Sequence, residues 1–267
     1  MTAVLTHSVP GDPPLAVDVA GKGSVALFLH GIGGNRTNWA GELAALSDVA
    51  QCAAMDLRGY GDSGDYAGPF TLADCADDVV RVLDHLGARR AHLCGLSLGG
   101  RVALHVAARH PGRVRSLALC DTHLGFGEYS DEERRKFVDA RATPLKAGKT
   151  PADIAPRLAK SLAGDPDDAA ACARLEASLA AVRAQSFIKA VEGSVDDPHP
   201  LTQHARVPTL VVVGQNDRIT PPAMAFKLAA RIPGADLAVL EGAGHLSNLE
   251  APVAFQAALR SFWSGVA

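Results

Sequence analysis

Apolar residues along this chain fall into two alternating rhythms. Val25-Ala26-Leu27-Phe28-Leu29 is an unbroken apolar run of strand length that stops at His30-Gly31-Ile32-Gly33-Gly34. Residues 15–20, 49–57, 91–96, 114–120, 209–213 and 235–240 have a similar character. Continuous runs of this kind predict strands buried on both faces, as in a parallel sheet. Between them, Leu72, Ala76, Val79, Val80 and Leu83 recur at helical spacing and predict a helix over residues 71–86. Helices are likewise expected over 39–46, 98–110, 222–232 and 252–263, the second of these stopped by Pro111. Steady strand–helix alternation predicts an α/β fold with a mostly parallel central sheet.

The rhythm breaks once. Residues 122–206 show no clear strand pattern. They carry charges of both signs, many alanines, and Pro144, Pro151, Pro156, Pro166, Pro198 and Pro200. We read this stretch as a helical insertion, so residues 1–121 and 207–267 form one core domain interrupted by 122–206. No internal repeat or low-complexity tract is visible.

Composition narrows the function classes. The 267 residues hold 26 Lys+Arg against 29 Asp+Glu, a formal charge of -3. That balance leaves no electrostatic footprint for nucleic acid or an anionic membrane surface. No run reaches the roughly 18–20 apolar residues of a membrane span. The first seven residues lack the basic and apolar regions of a secretory leader. Cys52, Cys75, Cys94, Cys120 and Cys172 are odd in number, scattered and without a CxxC pair, which predicts reduced thiols in a cytoplasmic protein. Cys94 and Cys120 lie in apolar runs, where buried structural thiols are expected.

Candidate chemistry centres on Gly95-Leu96-Ser97-Leu98-Gly99-Gly100, which fits the G-x-S-x-G nucleophile elbow between a predicted strand and a predicted helix. A sharp strand-to-helix turn lifts the serine hydroxyl clear of the sheet, and the helix N-terminus offers free N–H groups to a developing oxyanion. Serine needs a base. Of ten histidines, His245 sits in the glycine-flanked loop Gly242-Ala243-Gly244-His245-Leu246 after the last predicted strand. That is the sheet edge where open α/β folds bind ligands. Asp217, in Gly214-Gln215-Asn216-Asp217, follows another strand and completes the chain order Ser…Asp…His. Asp121, just after the strand ending at Cys120, is the rival carboxylate. The backbone N–H groups of Ile32 and Leu98 are the expected oxyanion donors. No HExxH motif or paired Cys/His site is present, so neither metal nor cofactor is expected.

The His30–Gly34 loop, Asp56-Leu57-Arg58-Gly59-Tyr60-Gly61-Asp62-Ser63, the serine motif, Gly214–Asp217 and Gly244-His245, taken in order, resemble α/β-hydrolase fold proteins. The resemblance covers nearly the whole chain. It implies helices on both faces of the sheet and makes the insertion similar to that family's helical lid. Haloalkane dehalogenases and many epoxide hydrolases carry aspartate at the elbow, against Ser97 here. C–C hydrolases of the meta-cleavage type often have His-Trp where this chain has His245-Leu246. His245-Leu246-Ser247-Asn248, Glu250 and the run Val207–Gly214 are similar to the 3-oxoadipate enol-lactonase group. The expectation is a serine hydrolase acting on a small-molecule ester or lactone through an acyl-enzyme. A C–C hydrolase, a cofactor-free haloperoxidase or perhydrolase, and a non-catalytic binder are the alternatives. Oligomeric state is left open.

Insertion cations Arg134, Arg135, Arg141, Lys146, Arg157 and Lys160 offer partners for a substrate carboxylate, although residues 131–136 read more simply as a solvated helix face. Leu162, Leu175, Leu179, Val182 and Phe187 are expected to form the insertion's apolar inner face by core packing.

Overall fold

A computed structural model describes residues 3–197 and 199–266. Met1 and Thr2 of the leader reading, Pro198 of the insertion's proline set, and Ala267 lie outside the described residues. Eight strands form one sheet: β1 (Leu5–Val9), β2 (Leu15–Ala20), β3 (Val25–Leu29), β4 (Gln51–Met55), β5 (Ala91–Leu96), β6 (Val114–Cys120), β7 (Thr209–Gly214) and β8 (Asp236–Leu240). Their order is β1-β2-β4-β3-β5-β6-β7-β8. β1 and β2 pair antiparallel at one end, and every pairing from β4 to β8 is parallel. The predicted α/β class and mostly parallel sheet are thus present.

Helices α1 (Ala40–Leu46), α2 (Leu72–His85) and α3 (Leu98–Arg109) link the early strands. Between β6 and β7 lie α4 (Asp131–Arg141), α5 (Thr143–Lys146), α6 (Pro151–Leu162), α7 (Ala169–Ala180) and α8 (Ala184–Val195), with no strand among the described residues of that stretch. α9 (Pro222–Ala230), α10 (Ser247–Glu250) and α11 (Pro252–Ser264) complete the chain.

Alternation along buried strands sends side chains to both faces. On β3, Val25, Leu27 and Leu29 join a core with Val79 of α2, Val102 of α3 and Leu228 of α9. Ala26 and Phe28 face the opposite way, into a second core with Trp39, Leu43 of α1, and Phe255 and Leu259 of α11. This two-sided burial is why β3 reads as an unbroken apolar run, and β5 and β7 as runs broken only by the buried His92 and Thr209. A third core, including Ile154, Leu158, Leu175, Leu179 and Phe187, belongs to α4–α8.

The pattern reading missed β1. It is an edge strand whose Leu5 and Thr6 are exposed, so no alternation marks it. It also overran β4, because residues 49 and 50 are apolar yet lie in the turn before the strand. All five cysteines are free and buried, and the Cys94 and Cys120 sulfurs approach to 3.8 Å across neighbouring strands.

Gly95 and Gly99 let α3 lie directly on the sheet. A Cβ on Gly95 would stand 2.2 Å from the Gly99 carbonyl oxygen, and one on Gly99 would stand 2.1 Å from the Leu29 carbonyl oxygen. Both obstacles are backbone, so neither can swing aside. Gly99→Ala is expected to destabilise the fold by about 1–3 kcal/mol through overpacking. Urea unfolding that leaves the midpoint unchanged would contradict this contact.

Candidate active site

Strand register builds the site. β3 and β5 pair with Leu29 opposite Gly95, so their following loops emerge side by side. The His30–Gly34 loop therefore lies against the turn at Ser97; a Cβ on Gly31 would sit 3.3 Å from Ser97 Cβ. β5 and β6 pair with Leu96 opposite Cys120, and Ser97 N–H donates to the Cys120 carbonyl at 2.8 Å. Thr122 Oγ1 donates to the Ser97 carbonyl at 2.7 Å. Between these clamps Ser97 takes φ 54° and ψ −113°, a strained backbone for a non-glycine residue. The strain holds the side chain above the start of α3.

His30 is a support. Its Nδ1–H donates to Gly31 O at 2.7 Å, which leaves Nε2 to accept Leu57 N–H at 3.0 Å. Burial lowers its pKa against the pull of Asp56. The Asp56–Ser63 motif is also a buttress: Asp56 accepts Arg36 N–H, Arg36 Nη1 and Asp62 N–H, and Ser63 Oγ donates to Asp56 O.

Ser97, His245 and Asp217 are brought together at the carboxyl edge of the sheet. Asp217 follows β7 and His245 follows β8, two strands paired in parallel. His245 Nδ1–H donates to Asp217 Oδ2 at 2.9 Å, and Ser97 Oγ–H donates to His245 Nε2 at 3.0 Å. His245 is 5% exposed and Asp217 3%, while Ser97 remains partly open. Burial opposes ionisation of Asp217, but the facing His245 and hydrogen bonds from His245 and Thr220 outweigh it and bring its pKa down to about 2. Burial likewise opposes the His245 cation. Asp217 overrides it, so the His245 pKa is raised above the ordinary 6.5.

The rival carboxylate, Asp121, is near the three but faces elsewhere. It accepts Gly214 N–H at 2.9 Å and the Ser247 N–H and hydroxyl at 3.2 and 2.6 Å. Burial first, and the Asp217 charge second, push its pKa up to about 7. It pins β7 and the His245 loop to β6.

Two positioning residues carry no role in the sequence reading: Thr220 is not named there, and Glu250 is named only for the resemblance. Thr220 Oγ1 donates to Asp217 Oδ2 at 2.7 Å, and Asp217 Oδ1 accepts Ile219 N–H and Thr220 N–H at 2.8 and 3.0 Å. Asp217-Arg218-Ile219-Thr220 carries the signal for this, an aspartate capping the N–H groups two and three residues on. Glu250 accepts the Gly164 and Leu246 N–H groups at 2.6 and 3.3 Å, and His245 N–H donates to Leu162 O at 2.8 Å. These bonds tie the histidine loop to the end of α6.

Ser97 opens into a cleft of about 770 Å³, part of it open to solvent. The His30–Gly34 loop and Asn38 form one wall, and Leu158, Leu162, Leu175, Leu179 and Phe187 the other. The predicted inner-face residues thus pack the helical core and line this cleft as well. Val182 packs in the core but is not part of the lining. Neither Ile32 N–H nor Leu98 N–H has a protein acceptor among the described residues. Those residues also contain no cluster of side chains able to hold a metal ion, and no helix long and apolar enough to cross a membrane.

Comparison with known proteins agrees with this architecture. Pimeloyl-[acyl-carrier protein] methyl ester esterase of Neisseria meningitidis is 33% identical over 90% of this chain and 76% of its own. 3-Oxoadipate enol-lactonase 2 of Acinetobacter baylyi is 28% identical over 88% of this chain and 86% of its own. A thermophilic esterase from Thermogutta terrifontis superposes with a TM-score of 0.88 at 29% identity, covering 100% of this chain and 99% of that one. Residues 26–252 match the alpha/beta hydrolase fold family, to which this chain belongs.

Proposed function

We propose that this protein is a serine hydrolase that cleaves a small-molecule carboxylic ester or lactone through an acyl-enzyme. The observation that carries the reading is the continuous line of hydrogen bonds from Ser97 Oγ through His245 to Asp217. His245 Nε2 takes the hydroxyl proton as Ser97 Oγ bonds to the substrate carbonyl carbon. The carbonyl oxygen becomes an oxyanion, held by the Ile32 and Leu98 N–H groups. Collapse breaks the ester C–O bond, and His245 gives its proton to the departing alkoxide. Water then loses a proton to His245 and attacks the acyl carbon; collapse breaks the acyl C–Oγ bond, His245 returns its proton to Ser97 Oγ, and the acid leaves. Asp217 stays ionised throughout, fixes the imidazole tautomer and stabilises its cation. Residues 122–206 act as the lid that shapes the cleft, with the His245–Leu162 and Gly164–Glu250 bonds as its seat on the histidine loop.

Similarity to an acyl-carrier methyl ester esterase and to an enol-lactonase supports an ester-type bond as the target. An enol-lactone of a catabolic pathway is the specific substrate we favour. A fluorophosphonate probe tests the nucleophile. Labelling should occur at Ser97 and vanish in Ser97→Ala; a folded protein that resists labelling would point to a binder. A kinetic panel of aryl esters, thioesters and enol-lactones tests the bond, with C–C cleavage or peroxide-dependent halogenation as the contrary results.

The raised His245 pKa sets the sign of the pH dependence. A general base must be neutral, so kcat/KM should be low in acid and rise with pH through a midpoint above 6.5. Asp217→Asn removes the charge that holds the proton on, and should move that midpoint toward acid. A pH–rate profile whose acid limb lies below the ordinary histidine value would contradict the assignment.

A further inference from the structure

Ser97 stands where two chambers meet. Beyond the cleft described above, a second space of about 710 Å³, also partly open to solvent, extends past Leu98, His123 and Tyr129. Arg141, at the end of α4, lines both chambers, as do Ile32 and Ser97. No aspartate or glutamate lines either one among the described residues.

The other cations lining these chambers, and the other candidate cations of the insertion, are engaged or exposed. Arg101 is paired with Asp197, and Arg218 donates to the Lys160 and Ala163 carbonyls. Lys146 is paired with Glu192, Arg157 donates to Ala140 O, and Arg134 donates to Phe126 O. Arg135 and Lys160 are exposed. Arg141 differs from all of them. Its guanidinium lies 4.0 Å over the Phe137 ring, and Nη1 donates to Phe137 O at 3.3 Å. Its remaining N–H groups have no acceptor, and it has no carboxylate partner, among the described residues. Burial first, and the Arg157 charge second, lower its pKa to about 10, which still leaves it cationic at neutral pH. A partly buried cation without a counter-ion is costly unless an anion completes it. A planar fork of donors facing a cavity fits a carboxylate best.

We propose that Arg141 binds a free carboxylate on the substrate, which makes the substrate class esters or lactones of acidic molecules, with that carboxylate close to the scissile bond. The word substrate rests on the hydrolase reading above; the carboxylate site itself does not. Aromatic stacking on Phe137 holds the guanidinium in place, and the absence of lining acids leaves its charge for the ligand.

The test compares matched aryl esters. One pair sets p-nitrophenyl hydrogen glutarate against p-nitrophenyl pentanoate; the other sets 4-acetoxybenzoate against phenyl acetate. Each kcat/KM is divided by the spontaneous hydrolysis rate. The wild-type protein should favour the acidic member of at least one pair by about 10- to 100-fold, the range of one charge-assisted contact. Arg141→Met should collapse that ratio, and Arg141→Lys should keep part of it. In parallel, calorimetry should show glutarate binding to Ser97→Ala at least tenfold more tightly than to the Ser97→Ala/Arg141→Met double variant. Hydrolysis without charge preference would overturn the inference and leave the hydrolase reading standing. Glutarate binding that depends on Arg141, with no ester turned over, would do the reverse. Absence of both the preference and the binding would end the carboxylate proposal.

Discussion

Replacing Ser97 with alanine is expected to lower kcat for any ester this protein cleaves by about 10⁶-fold, with the fold intact. The size of the effect follows from the line of bonds. Without Oγ, His245 Nε2 has no hydroxyl to deprotonate, and the acyl-enzyme cannot form. The two backbone N–H donors and the cleft remain, so a residual rate over water of about 10³–10⁴-fold is expected to survive. Alanine occupies the strained φ of 54° no worse than serine does, and the clamps on Ser97 are made by its backbone N–H and carbonyl. Thermal unfolding of the variant should therefore match the parent. Spectrophotometric assay of an aryl ester decides the matter: more than about 1% of parental kcat would mean that another group attacks the carbonyl.

Asp217→Asn should cost about 10⁴-fold in kcat, because an amide facing Nδ1 can stabilise the wrong imidazole tautomer and cannot support the cation. The same change at Asp121 should behave differently. Asp121 holds the Gly214 N–H and the Ser247 N–H and hydroxyl, so an amide nitrogen there would face donors with a donor. The expected loss is about 1–3 kcal/mol of stability, with kcat reduced by less than about tenfold. Comparable kinetic losses at the two positions would show that the carboxylates share the work. Denaturant melts beside steady-state rates separate the two variants, since one is expected to move chiefly kcat and the other chiefly the unfolding midpoint.

Much of this molecule can be read before any coordinates exist. β3, β5 and β7 are visible because strands covered on both faces must be apolar almost throughout. Ser97 and Asp217 stand out because each follows such a strand, and His245 because it follows the edge strand β8, in a glycine-rich or polar turn of the kind expected of loops at the carboxyl edge of a sheet. β1 is invisible because its outer positions face water and no burial constrains them. The Asp56–Ser63 motif announces itself as a turn, but nothing local reveals that its aspartate anchors Arg36.

The insertion marks the limit of one-dimensional reading. Its six candidate cations, Arg134, Arg135, Arg141, Lys146, Arg157 and Lys160, have much the same character along the chain, and a helical pattern with mixed charges cannot say which of them looks inward. The placement of α4 beside the cleft, with Arg141 stacked on Phe137 of the same helix, singles out Arg141 while the others find carboxylates, carbonyls or solvent. Chain order favours Asp217 over Asp121, but that Asp121 accepts the Gly214 and Ser247 N–H groups is visible only in the fold. Local order and composition settle which residues can form strands, turns and caps, because those depend on neighbours within a few positions. Which charge meets which partner depends on contacts between residues some 25 to 150 positions apart, such as His245 with Asp217 and Ser97, and only the folded chain sets those distances.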